Sequence, residues 1–173
     1  MKPFWTSVNS NRLAQGDWLP GCFVPVFTPE FGRNGDGKPY DVPVKEANLI
    51  VTTQSCDLDN DKVELVALCP IYTLAEFRIS NPGLSNSRCE EIRKGRIAGL
   101  HLLASPNEPA NNQAALIVDF GQIFGLPLGY LTKRAEELGS RWRLESPFLE
   151  HFSQAFARYF MRVGLPSSIP PFK

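Results

Sequence analysis

Short apolar runs, each ended by a turn-forming residue, recur along the first 126 residues of the chain. They lie at residues 17–27, 47–54, 62–71, 100–105 and 115–126. Their length and their content of β-branched, aliphatic and aromatic residues are typical of β-strands. The pattern predicts that the first three runs pair in one curved sheet and that the last two complete it. Gly121 is expected at a bulge of the last run, and Asp119 is expected to face inward or into a turn.

The stretch LIVTTQSCDLDNDKVELVALCPI, residues 49–71, contains two of these runs around a polar, acid-rich turn. The near-continuous apolar character of both runs indicates strands that are covered on both faces. CDLDND, residues 56–61, is expected at the tip of the hairpin or just before it. A longer segment at 28–43 carries Asn-Gly, Asp-Gly and several prolines, and it is expected to be a loop.

Helix signals occupy two regions. Residues 73–98 are polar with scattered apolar positions around a Pro-Gly break, which predicts a short helical insertion. Residues 146–163 predict a long C-terminal helix, with Ser146 as its N-cap and Pro147 at its first helical position. One apolar stripe follows the helical period at Phe148, Phe152, Ala155, Phe156, Tyr159, Phe160 and Val163. Residues 164–173 contain three prolines and are expected to be a tail.

Composition and charge narrow the protein class. The 173 residues are 43% hydrophobic, which is enough to build one core, so we expect a single β-rich α+β domain over residues 1–173. Eighteen basic and eighteen acidic residues cancel, and no overall field favours nucleic acid or an anionic membrane. The sequence shows no secretion signal and no run of about 18 apolar residues. A cytoplasmic protein without a membrane partner is expected.

The four cysteines, Cys22, Cys56, Cys69 and Cys89, lack Cys-x-x-Cys spacing, and no histidine lies near them in sequence. This pattern predicts separate, reduced thiols. Neither a metal site nor a cofactor is expected.

Three segments, QGDWLPGCFVPV, ANLIVTTQSCDL and ELVALCPIYT, resemble the PemK/MazF family of toxin ribonucleases over about residues 16–73. The shared features are a first strand that opens with Gly-Asp, a hydrophobic strand that ends in a polar segment, and a strand that runs into Pro-Ile and Thr. The resemblance implies an SH3-like small barrel over about residues 16–131, with the helical insertion at about 73–98. The chain is also similar to bacterial proteins without an assigned activity that share QSCDL and the closing FARYFMRVGLP.

The resemblance also implies catalytic positions. In that family an arginine before the second core strand and a Ser or Thr after Pro-Ile form the catalytic pair, which implies Lys45 and Thr73 here. Lys45 stands where an arginine is expected, and a lysine is a point charge rather than a bidentate fork. Thr73 is displaced by the inserted Tyr72. Both departures weigh against an active ribonuclease.

Gln54, Cys56 and Asp57 have two interpretations. A catalytic Cys56 would need a base such as His101 or His151 brought near by the fold. The acidic residues beside Cys56 would disfavour its thiolate. In the structural interpretation, which we favour, Cys56 fills the end of a strand while Asp57 accepts hydrogen bonds from turn amides.

Charge is uneven along the chain, with an acidic excess over residues 41–64 and a basic excess after residue 127. Arg141, Trp142, Arg143 and Arg158 form a candidate basic patch, in which a tryptophan between arginines is compatible with base stacking. A bipolar surface suits a protein of complementary charge or a second copy of the chain at least as well as RNA.

The sequence therefore predicts a non-catalytic small-barrel module that binds a protein partner, within a bacterial toxin-antitoxin or anti-phage defence system. The alternative is a PemK/MazF-like endoribonuclease that cleaves single-stranded RNA. The absence of an aligned catalytic pair favours the first.

Overall fold

The computed structural model describes residues 2–31, 41–60 and 62–161. Its strands are β1 (Trp5–Val8), β2 (Trp18–Pro25), β3 (Val44–Val51), β4 (Leu65–Thr73), β5 (Leu100–Leu103), β6 (Leu116–Asp119), β7 (Phe124–Pro127) and β8 (Arg141–Leu144). Its α-helices are α1 (Ser55–Asp59), α2 (Leu74–Ser80), α3 (Asn86–Arg93), α4 (Leu128–Leu138) and α5 (Phe148–Phe160), and a 3₁₀ turn spans Asn112–Ala114. Much of the predicted 28–43 loop, and the predicted helix end and tail from 162 onward, lie outside the described residues.

The main sheet is antiparallel and follows the order β2-β3-β4-β6-β5, with β7 also paired to β4. The prediction that the first three apolar runs share one sheet with the two later runs is confirmed. Among the described strands the order does not return from β5 to β2, so the sheet is open. The coarse class, a β-rich antiparallel α+β fold with several helices, is thereby established.

The run at 115–126 forms two strands instead of one. β6 pairs with Ile71–Thr73 of β4 and β7 pairs with Leu65–Leu68, which leaves Cys69 and Pro70 between them. Proline has no N–H to donate to a continuous neighbouring strand, so Pro70 suits this interruption. Gly121, predicted as a bulge, lies in the turn between the two strands, and its N–H donates to Asp119 Oδ1 at 2.8 Å. The turn-facing alternative for Asp119 is confirmed.

The sheet is buried on both faces by alternating side chains. Leu49, Val51, Val66 and Leu68 face one core, which α4 covers through Leu131 and Ala135. Ile50, Cys69 and Ile71 face a second core, where Phe152 of α5 packs with Trp5 and Leu144. The prediction that β3 and β4 are covered on both faces is confirmed.

The helical insertion predicted at 73–98 is confirmed as α2 and α3. Thr73 and Ser85 cap these helices by accepting hydrogen bonds from Glu76 N and Arg88 N. Leu74, Phe77, Leu84 and Ile92 pack with Ile117 in a third cluster beside β6. The insertion therefore covers one end of the sheet.

Residues 56–60 lie in the connection between the antiparallel strands β3 and β4, where CDLDND was predicted, but residues 55–59 form a short helix, α1, that was not predicted. Asp57 N and Leu58 N both donate to Gln54 O, at 3.1 and 3.3 Å, and close a helical turn. The turn places Leu58 in the first core, where it is only 6% exposed. Burial of this one apolar side chain accounts for the helical conformation in an acidic segment.

The C-terminal helix is confirmed, but its start differs from the prediction. Pro147 is the N-cap residue, and the helix begins at Phe148. Phe148 N and Leu149 N both donate to Glu145 O, at 2.8 and 3.0 Å, so the main chain closes the first turn without the Ser146 hydroxyl. Three members of the apolar stripe, Phe152, Phe156 and Tyr159, contact the Phe120 ring, whereas Phe160 is 55% exposed.

Residues 5–8 and 128–144, which the sequence pattern left unassigned, form β1, α4 and β8. β1 and β8 pair antiparallel in a separate two-stranded sheet, with Trp5 opposite Leu144. No helix in the described part of the chain has the length and apolar character needed to cross a membrane.

Candidate functional site

A concave feature that contains one of the implied catalytic residues, Lys45, lies between β3 and β4. The two strands pair from Val51↔Leu68 to Leu49↔Pro70 and then diverge. A bulge in β2 between Leu19 and Cys22 accounts for the divergence, because a bulge bends its strand and β3 stays paired to β2 beyond it. Gly21 lies in the bulge with φ +65°, and its N–H donates to Asn48 Oδ1 at 3.1 Å.

The diverging strands enclose a hollow of about 250 Å³, here called the β3–β4 cleft, which is lined by Lys45, Glu46, Ala47, Asn48, Ile71, Tyr72 and Glu76. Lys45 and Glu76 are both exposed. One wall of the cleft is therefore strand main chain from β3, and the other is the end of β4 with the first turn of α2.

Lys45 lines this cleft, while Thr73 lies at its margin through Glu76. The Thr73 hydroxyl donates to Glu76 Oε2 at 2.8 Å and accepts from Glu76 N at 3.2 Å. Thr73 N also donates to Glu76 Oε2, at 2.8 Å, which completes a capping box. The structure thus brings Lys45 and the carboxylate partner of Thr73 to one hollow, and it holds the hydroxyl in a helix cap.

Sequence reasoning missed Glu76 and Tyr72 as members of this site. Glu76 had a readable signal, since Thr-x-x-Glu before an apolar run is the capping-box pattern. Tyr72 had none beyond its position in PIYT. Burial raises the pKa of the Tyr72 phenol, the Asp119 charge raises it further, and a hydrogen bond with Gln122 opposes both.

Cys56 and Asp57 lie on α1 and Gln54 is its N-cap residue, and none of their described contacts is with an imidazole. The Cys56 thiol is exposed, and its Sγ lies 3.6 Å from Gln54 Oε1 and 3.9 Å from Asp57 Oδ1. Asp57 Oδ1 lies 3.9 Å from Lys62 Nζ, and among the described residues no main-chain amide donates to its carboxylate. The expected filling role of Cys56 and the turn role of Asp57 are therefore both wrong, because α1 projects these side chains outward.

Other side chains shape the segment that contains QSCDL. Gln15 N donates to Ser55 Oγ at 3.0 Å, and Gln15 Nε2 donates to Thr52 O at 2.9 Å. Ser153 on α5 donates to Gln15 Oε1 at 2.8 Å. Gln15 thereby connects the N-terminal loop, the end of β3 and the C-terminal helix.

Two arginines of the predicted basic patch, Arg141 and Arg143, are paired with the buried carboxylate of Asp17. Asp17 is fully buried, and Arg141 is 4% exposed. Arg141 Nε and Arg143 Nη2 each donate to Asp17 Oδ2 at 2.9 Å, and Ala14 N donates to the same oxygen at 3.0 Å. The Arg141 guanidinium also donates to the carbonyl oxygens of Ser10 and Arg12. Arg141 is therefore no surface cation, and this removes it from the patch.

The other patch members are dispersed. Arg143 is half-buried, and the hydrogen bonds that it donates to the Asp17 carboxylate raise the pKa of its guanidinium. Trp142 is half-buried and lines a separate hollow with Trp18 and Ser7. Arg158 is exposed on α5. The fold does not present these four side chains as one cationic surface.

Neither His101 nor His151 is among the residues that line the β3–β4 cleft. His101 on β5 stacks on Phe120 with ring centroids 6.0 Å apart and meets the Phe152 ring edge-on at 5.9 Å. Burial, with a smaller contribution from His151, lowers the pKa of His101 to about 4. Among the described residues no three His, Cys, Asp or Glu side chains come together as metal ligands would.

No protein-family profile matches the chain, and neither does any curated protein or solved structure. What the site can do therefore rests on its own geometry.

Proposed function

We propose that this chain is a non-catalytic, β-rich module that binds a protein partner. The observation that carries the proposal is an exposed apolar face at the end of the β2–β3 hairpin. Phe23, Phe27 and Val44 are 55%, 60% and 61% exposed. Val44 lies opposite Pro25 in the ladder, and Phe27 meets Phe31 edge-on at 4.5 Å. Large apolar side chains gathered on one surface favour a protein interface.

The state of the implied catalytic pair also favours binding over catalysis. The Thr73 hydroxyl is held in a helix cap, and Lys45 is the only cation lining the β3–β4 cleft among the described residues, against Glu46 and Glu76. An acidic excess disfavours an RNA phosphate. The SH3-like small barrel, the bacterial toxin-antitoxin or anti-phage setting and the cytoplasmic location rest on the sequence resemblance and composition, and we propose them on that basis.

The test is co-purification from the native host with quantitative mass spectrometry of three proteins. The wild type is compared with Phe27→Ser, which alters the hairpin face, and with Ile79→Ser, which alters a side chain on α2 that is 83% exposed. We expect one protein to be enriched with the wild type and with Ile79→Ser, and to be lost with Phe27→Ser. Equal recovery with both variants would contradict the proposal. If the enriched protein is the chain itself, the partner is a second copy.

A second candidate function is the PemK/MazF-like endoribonuclease. Its support is that Lys45 and Glu76 line one cleft, while the Thr73 hydroxyl donates to the Glu76 carboxylate, a pairing that can activate a hydroxyl. It predicts that the purified wild type cleaves single-stranded RNA and that Lys45→Ala abolishes cleavage. A wild type that cleaves no member of a broad RNA panel eliminates this candidate.

A further inference from the structure

The two walls of the β3–β4 cleft present main-chain groups of β3 and β4 to its interior. Residues 44–47 of β3 pair with β2, and Ile71–Thr73 of β4 pair with β6. Each strand has two edges, and the ladder between β3 and β4 ends at Leu49↔Pro70. Pro70 has no N–H, so Leu49↔Pro70 is a non-hydrogen-bonded pair, and the last main-chain bond of this ladder joins Ile71 N–H to Asn48 C=O. Among the described residues the ladder between the two strands continues no further into the cleft.

The alternation of an antiparallel ladder identifies which groups face the cleft. Thr52 N donates to Ala67 O at 2.9 Å, so even-numbered residues of β3 direct their main chain toward β4. Phe23 lies opposite Glu46, yet Phe23 N donates to Tyr130 Oη at 2.7 Å, which agrees with that alternation. The N–H and C=O groups of Glu46 and the N–H of Asn48 consequently point into the cleft beyond the last rung of the ladder.

The opposite wall is already partly satisfied, because Thr73 N donates to Glu76 Oε2. The outer edge of β2 is satisfied as well, since Tyr130 accepts from Phe23 N and Arg134 donates to Pro20 O at 2.9 Å. The β3 edge at Glu46 and Asn48 is thus the one these contacts leave available for a further strand.

We propose that the cleft binds an extended peptide segment of a protein partner by strand addition to the β3 edge at Glu46 and Asn48. This proposal rests on the proposed function and names the chemistry of the partner. Main-chain hydrogen bonds hold such a peptide, and side-chain contacts select it. The charges of Lys45 and Glu46 cancel on the β3 wall, so the Glu76 carboxylate on the other wall favours a basic side chain in the bound segment.

The probe is a set of peptides selected from a random 12-residue display library on the immobilised wild-type protein. Hydrogen exchange should show that bound peptides protect the amides of Glu46 and Asn48. Methylation of the peptide nitrogens should weaken binding about tenfold or more at alternate positions only, because a strand pairs with one neighbour through every second residue. Uniform effects of methylation, or protection elsewhere, would overturn the proposal, and so would a selection that yields no peptide.

Glu46→Pro and Glu46→Gln form a matched pair on the protein side. Both remove the carboxylate, but only proline removes the N–H that faces the cleft, and that N–H takes no part in the β2–β3 ladder. We expect Glu46→Pro to lose at least about tenfold in peptide affinity while Glu46→Gln stays near the wild type. Equal affinities would overturn strand addition, and the peptide methylation series decides the matter if Glu46→Pro fails to fold.

The two proposals fail in different ways. A host protein that is lost with Phe27→Ser but fully retained with folded Glu46→Pro overturns strand addition and leaves the binding module intact. The loss of a specific partner from every preparation removes the binding module itself. Protection of the Glu46 and Asn48 amides by single-stranded RNA, with no competing peptide, would assign the cleft to the ribonuclease and overturn the inference.

Discussion

At the scale of single residues, two aspartates in similar sequence settings have opposite environments. Asp17 follows a glycine, is fully buried and accepts from Arg141, Arg143 and a main-chain amide. Asp57 follows a cysteine, is partly exposed and faces only Lys62 at 3.9 Å and the Cys56 thiol among the described residues. The Asp17 carboxylate is therefore expected to contribute much more to the stability of the fold than the Asp57 carboxylate does.

Asp17→Asn should be strongly destabilising, by roughly 3 to 5 kcal/mol, because it leaves the buried guanidinium of Arg141 without a counter-charge. Asp57→Ala should cost no more than about 1 kcal/mol, since its pair with Lys62 is solvent-exposed. Urea unfolding of both variants beside the wild type measures the two costs. An Asp57→Ala variant as unstable as Asp17→Asn would contradict this assignment.

His101 gives the fold a specific dependence on pH. Its pKa is lowered from about 6.5 to about 4, so the folded state binds fewer protons than the unfolded state between these values. Its stabilising contribution is therefore complete above about pH 6.5 and is lost as the pH falls toward 4, by up to about 3 kcal/mol. The free energy of unfolding of His101→Phe should show a weaker pH dependence in this window. Parallel curves for the two proteins would exclude His101 as the cause.

The Asp17 network shows what a single sequence cannot reveal about residues. Gly-Asp and Arg-Trp-Arg are both visible in the sequence, but the interacting pairs lie 124 and 126 positions apart. Nothing in either local pattern indicates that Asp17 forms an antiparallel bridge with Arg143 of β8. Read locally, the arginines resemble a nucleic-acid patch, and only this distant contact with Asp17 shows that their charges are paired within the fold.

At the scale of elements, segments with strong local signals were predictable. The β3 and β4 runs, the helical insertion and α5 each carry a clear period or cap. α1 was not predictable, because two of its five residues are acidic and the burial of Leu58 decides its conformation. α4 has a mixed sequence that local propensity leaves open, and its place is fixed by contacts such as that between Tyr130 and Phe23.

The capping box at the start of α2 allows a prediction about one element. Thr73→Ala removes the acceptor for Glu76 N and should cost about 1 kcal/mol, whereas Thr73→Ser should keep the cap and most of the stability. Thermal and urea unfolding provide the measurement. The ribonuclease candidate predicts a further effect, in which Thr73→Ala abolishes RNA cleavage. Loss of cleavage with unchanged stability would contradict the structural role of Thr73.

At the scale of the whole molecule, the four thiols report on global and local opening. Burial raises the pKa of Cys22 to about 11 and that of Cys69 to about 12, and Cys89 is buried beside α2. Cys56 is exposed on α1. Exposure alone therefore predicts that Cys56 is labelled faster than the three buried thiols. Special reactivity of Cys56 would instead appear as a labelling rate above that of a free thiol in solution.

Iodoacetamide at neutral pH should label Cys56 at about the rate of an ordinary exposed cysteine, because none of the described contacts of its thiol is with a cation or an imidazole.

Cys22 and Cys69 lie on opposite faces of the sheet, in different cores. If the sheet unfolds as one unit, these two thiols should be labelled at a common, much slower rate that rises together in urea. Mass spectrometry of labelled peptides over time measures each site. A rate at Cys56 far above that of a free thiol would restore the catalytic interpretation, and separate rates for Cys22 and Cys69 would show that the two cores open independently.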